Sequence, residues 1–127
     1  MPDDRARRVK DRVKDRIEAL LGSDGVLAAA VVSRDGICLE SGSKRPFGVE
    51  TFSAMIATAM GAAETAIFEV GGKAVKRMEI DGDLGRLIVV GATDELLIVV
   101  LASAGTPSPA LLSRLDESAR GLAEIAR

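Results

Sequence analysis

The sequence predicts an α/β chain of the α+β kind, with elements in the order helix, strand, strand, helix, strand, strand, strand, helix. Three observations carry this. The runs at 26–33, 87–92 and 96–102 are apolar on both alternations. A sheet with one wet face shows a polar residue at every second position, so helices are expected over both faces of these central strands. Short Asp/Gly-rich turns separate consecutive runs, which makes the neighbouring strands antiparallel. Three further stretches place their apolar residues at helical spacing. Three helices on two faces leave two on one side, here the terminal pair, and the second helix alone on the other. At 127 residues the default is one domain, 1–127, large enough to bury a core without disulfides or metals.

Residues 3–21 form the first expected helix, on Val9, Val13, Ile17, Leu20 and Leu21. Seven basic and five acidic residues interleave with that stripe. Such a mixture reads as a solvated face rather than a nucleic-acid or lipid site. Gly22 is a natural stop. The run VLAAAVVS, 26–33, and ICLESG, 37–42, are two strands joined by Arg34-Asp35-Gly36, where Asp and Gly tolerate positive φ. SKRPFG, 43–48, is a loop.

The second helix, Thr51 to Val70, ends at Gly71-Gly72. AVKRMEI, 74–80, is a strand of mixed polarity suited to a sheet edge, and RLIVVGA, 86–92, and LLIVVLAS, 96–103, complete a three-stranded meander. Ser108 is the expected N-cap of the last helix, with Pro109 at its first position. Leu111, Leu112, Leu115, Leu122 and Ile125 give that helix its stripe.

The second helix poses the main question. From Thr51 to Phe68 it carries one charge, Glu64, in a chain that is 28% charged. Phe52, Ile56, Ala59, Met60, Ala63 and Ile67 form a stripe for the sheet. The other side presents Ala54, Ala57, Thr58, Gly61, Ala62 and Thr65, all small. A helix without a charged face is normally buried all round. Gly61 in mid-helix costs about 1 kcal/mol relative to Ala, which calls for a packing reason. A helix alone on its face has no cover left within one chain, so a second copy is the expected cover. The edge strand 74–80, through Val75, Arg77 and Met78, is expected to join that interface; the alternatives are that a terminal helix covers the second helix instead, and that Lys76 and Arg77 block such edge pairing.

The element order, DGVLAAAVVSRDGICLES, the charge-poor second helix and the hairpin RLIVVGATDELLIVVLA together resemble the Roadblock/dynein light chain domain, over about residues 4–126. The resemblance implies a five-stranded antiparallel sheet with the second helix on one face and the terminal helices on the other. It also implies homodimers or heterodimers built through the second helix and the third strand. Members of that family act as non-enzymatic platforms, some of them regulating small Ras-like GTPases. A lone domain with short ends is similar to the prokaryotic members that accompany such a GTPase.

The residue inventory points the same way. The chain lacks His, Trp and Tyr. That removes the commonest general base, the commonest metal ligand and most stacking surface. Ser33, Asp35, Ser41, Ser108 and Asp116 have no base to work with, so no catalytic residue is expected. Gly71-Gly72-Lys73 lacks the preceding strand and following Ser or Thr of a phosphate loop, and a helix C-cap fits it better. Glu79, Asp81 and Asp83 lack the remaining ligands of a calcium loop. No metal and no cofactor is therefore expected.

Cys38 is the single cysteine and suits a reducing, cytoplasmic setting. The N-terminus shows no signal peptide pattern, and no apolar run approaches a membrane span, so no integral membrane segment is expected. A net charge of −2 gives no pull toward nucleic acid, and none is expected as a partner. The function expected is a homodimeric scaffold for a small GTPase. The alternative is a PAS- or GAF-like sensor of a small molecule, against which the scarcity of aromatics argues for a filled core.

Overall fold

A computed structural model describes residues 4–126; Asp3, counted above in the first helix, lies outside them. The elements are α1 (Asp4–Leu21), β1 (Val26–Ser33), β2 (Cys38–Ser43), α2 (Val49–Glu69), β3 (Met78–Asp81), β4 (Gly85–Gly91), β5 (Leu96–Ser103) and α3 (Ser108–Ile125). The strands form one antiparallel sheet in the order β2-β1-β5-β4-β3. The β1–β2 hairpin and the β3–β4–β5 meander are therefore two local units. Pairing of β1 with β5, with Val31 opposite Ile98, joins them.

Strand alternation sorts the core into two layers. Ala29, Val31, Ile88, Val90, Ile98 and Val100 face one side, where they meet Val13, Ile17 and Leu20 of α1 and Leu111, Leu115, Leu122 and Ile125 of α3. Ala30, Val32, Val89, Leu97 and Val99 face the other, under Ile56 and Met60 of α2. The unalternating apolar runs are thus strands covered on both faces, with the terminal helices together and α2 opposite.

The local signals act through identifiable geometry. Gly36 sits at φ +90° in the β1–β2 turn, the conformation that favours glycine there. The end of α2 is a Schellman motif: the Gly71 N–H donates to Phe68 and the Gly72 N–H to Ile67, with Gly71 left-handed at φ +91°.

Two expectations need correction. Ser108 is not the cap of α3 but its first residue; Pro107 caps it in an extended conformation. The Ser108 hydroxyl instead accepts a hydrogen bond from Arg86. The third strand is shorter than 74–80, because ladder pairing covers only Met78–Asp81. The preceding residues leave the ladder while Val75 tucks against the core under α2. By length and composition alone α2 is also apolar enough to cross a membrane, although no single apolar run suggests it. Here it lies on the sheet, with Ser53, Ile56 and Met60 buried.

Candidate interaction surface

The sheet-facing side of α2 is narrow. Ile56 and Met60 are fully buried, and Phe52 is half-buried, edge-on to Phe47 with ring centroids 5.2 Å apart. Ala59 and Ala63 do not share that full burial: both are half-buried. Ser53 is also buried, and its hydroxyl has no hydrogen-bond partner among the described residues. Ile67, assigned above to the sheet, is instead 38% exposed. It lies against Gly72, where the Schellman turn bends the chain off the helix.

The opposite side is largely uncovered and apolar. Gly61 and Thr65 are exposed, and a Cβ built on Gly61 would have nothing within 4 Å. The Thr58 hydroxyl donates to the Ala54 carbonyl at 2.8 Å and that of Thr65 to the Gly61 carbonyl at 3.0 Å. Both hydroxyls are therefore satisfied within the helix. Ala54 and Ala57, grouped with this face by spacing, are half-buried, and Ala54 packs on Gly36 of the β1–β2 turn. Ala62 is exposed beside Gly61. Larger apolar side chains extend the surface: Met55 is 57% exposed, Phe68 71% and Val70 81%.

Glu64, the one charge between Thr51 and Phe68, is not free. Arg34 of the β1–β2 turn binds its carboxylate at 2.6 Å and also donates to the Thr93 carbonyl at 3.4 Å. One guanidinium thus ties α2 to the β1–β2 and β4–β5 turns and neutralises that charge. A Cβ on Gly91 would come within 2.9 Å of the guanidinium, so the small residue leaves it room.

At the sheet edge, Val75 and Met78 turn toward the core under α2, whereas Arg77 is exposed and paired with Glu79 at 3.4 Å. Ile80 is the exposed apolar residue of β3. Arg86 binds Asp81 at 2.9 Å and reaches Glu79 at 3.9 Å. The hydrogen bond and the charge of Asp81 raise the Arg86 pKa above its ordinary value. Glu79 and Asp81, compared above with a calcium loop, are therefore occupied by arginines.

Sequence reasoning thus locates α2's small-residue face and misses Arg34, Met55, Phe68 and Val70. The last two have a readable signal, since large apolar residues flank the Gly-Gly stop. Arg34 has none, because its partner is 30 residues away.

The Roadblock/LC7 domain pattern matches residues 13–102. Uncharacterized protein MJ0714 of Methanocaldococcus jannaschii is 32% identical over 78 residues, 61% of this chain, and the chain spans 66% of that relative's length. Among solved structures, MglB of Myxococcus xanthus superposes with a TM-score of 0.87 at 13% identity, over 92% of this chain and 89% of the other. The gliding protein MglB of Thermus thermophilus gives 0.85 at 20% identity, over 93% and 90%. Identities this low speak for a shared fold alone. The sheet order, the helices on each face and the pattern matched over residues 13–102 agree: the chain belongs to the Roadblock/LC7 domain family.

Proposed function

We propose that this chain is a non-enzymatic scaffold that pairs with a second copy through α2 and β3 and, as a dimer, binds and regulates a small Ras-like GTPase. The observation that carries the reading is the outward face of α2. It is exposed, its hydroxyls are satisfied internally, its charge is neutralised by Arg34, and Gly61 opens onto empty space. Water gains little from such a surface, whereas a facing helix can approach it closely. Patches of this kind on a folded chain mark interaction sites. The likeness to MglB and the family membership support the GTPase-directed part of the reading. A residue inventory without His supports the non-enzymatic part.

Regulation on this reading is positional. A rigid pair of sheets and helices holds the switch segments of the GTPase in one arrangement, altering exchange or hydrolysis without contributing a reacting group. Two measurements test it. Light scattering on the wild-type chain should give the mass of a dimer, and Gly61→Arg should give a monomer. Pull-down from a lysate of the source organism should recover a small Ras-like GTPase with the dimer and not with the Gly61→Arg monomer. A wild-type monomer, or equal recovery with both proteins, overturns the proposal.

A further inference from the structure

The sheet has two edges, and β2 is the one that the proposed dimer leaves untouched. Its backbone polarity can be read from the ladder. The Lys44 N–H donates to Leu27 at 2.9 Å, so Leu27/Lys44, Ala29/Gly42 and Val31/Glu40 are the hydrogen-bonded pairs. Ser41 and Ser43 therefore turn their N–H and C=O groups away from β1. Such an edge is a template for another strand unless it is blocked by proline, by lysine or by a covering element. Residues 38–43 contain neither proline nor lysine. Ile37 is 65% exposed and Leu39 is exposed beside it.

Both faces of this edge open into grooves. On the α1 face a groove of about 610 Å³ runs over Val9, Val13, Leu39 and Ile125, with Lys10 at its rim. On the α2 face a second, of about 590 Å³, runs over Ile37, Leu39 and Val49, with Glu40 and Glu50 on its border. Leu39 and Glu40 line both. An added strand sends alternate side chains to opposite faces, so two grooves flanking one open edge are the arrangement that strand addition uses.

We propose that β2 is a strand-addition site for an extended segment of a partner protein. Alternate side chains of that segment would be apolar with an acidic residue toward Lys10, and apolar with a basic residue toward Glu50. Charge decides against a second copy as the occupant. Residues 38–43 carry no basic residue to meet Glu50, and in the self-paired register centred on Glu40 the two Glu40 carboxylates lie directly opposite, where like charges are destabilising. The inference goes beyond the proposed function and does not depend on α2.

The test is a phage-displayed library of random extended peptides, panned on the full chain. Enriched sequences should alternate in this way. Their binding should weaken at least about tenfold, or about 1.4 kcal/mol, in Ser41→Pro. Proline there removes an outward N–H and leaves the β1 ladder intact. Glu50→Lys, at an exposed position, should invert the charge selected on that face. Gly61→Arg should bind the peptides like wild type, which separates this result from the fate of the α2 interface. No enrichment, binding indifferent to both Ser41→Pro and Glu50→Lys, or a self-association that Ser41→Pro abolishes would each overturn the proposal.

Discussion

The two faces of the sheet are covered by helices of opposite character. On the α1/α3 side, sixteen buried apolar residues among those described form the core layer, and α1 turns interleaved Arg, Lys, Asp and Glu to solvent. On the α2 side the layer has seven buried apolar residues among those described, and the helix above it shows small and apolar residues outward. The first face is finished within one chain: apolar residues inside, charges outside. The second is finished only on its inner surface. The contrast separates what stabilises the fold from what the fold presents. Substitutions on the first face should act on stability at any protein concentration, and those on the outer face of α2 mainly through association.

The largest expected effect is at the finished face. Leu115 is fully buried in α3, and Leu115→Ala should cost roughly 2–5 kcal/mol in urea unfolding. A loss well below that range would mean that the α1/α3 layer is loosely packed, and the comparison would break. Next comes assembly. Phe68→Ser should leave the unfolding of the diluted chain within about 0.5 kcal/mol of wild type, as for other exposed sites. At high concentration it should lower the dimer fraction in analytical ultracentrifugation.

Gly61→Ala sharpens the contrast by its sign. A Cβ there meets nothing, so in dilute solution the substitution should stabilise α2 by about 0.5–1 kcal/mol. If helices of two copies meet at Gly61, it should weaken the dimer at the same time. Stabilisation with an unchanged dimer would move the interface elsewhere. The smallest effect is expected for Glu64→Gln. The Arg34–Glu64 pair is partly exposed, so its loss should cost no more than about 1 kcal/mol in thermal unfolding.

Much of the fold is legible in the sequence alone. The double-sided burial of β1, β4 and β5 follows from apolar runs that do not alternate, and the end of α2 follows from Gly71-Gly72. The small face of α2 is visible because helical spacing is a local property. What cannot be read is what depends on residues meeting from distant parts of the chain. No pattern in 26–33 announces that its second neighbour is 96–103, so β2 is not recognisable as an edge. Glu64 looks like an interruption of an uncharged helix until Arg34 arrives from another element. Ser108 has the chemistry of a cap, yet Arg86 takes its hydroxyl. Val75 and Met78 are expected at the open edge, but the path of the chain, not its composition, turns them inward.

The β1–β5 junction also has a kinetic consequence. Val26 pairs with Ala102, so the seam spans nearly the full interval between the first strand and the last. The hairpin and the meander can each form from neighbours, but the seam between them closes only after most of the chain has been made. During synthesis each half-sheet has an inner border with bare backbone groups and an apolar surface on both sides. Closure over so long a loop belongs to the slow, non-local class of folding reactions, in milliseconds to seconds by order of magnitude, and stopped-flow refolding would show it. The same seam that makes the finished sheet continuous therefore gives the nascent chain its longest interval of exposure to misassembly.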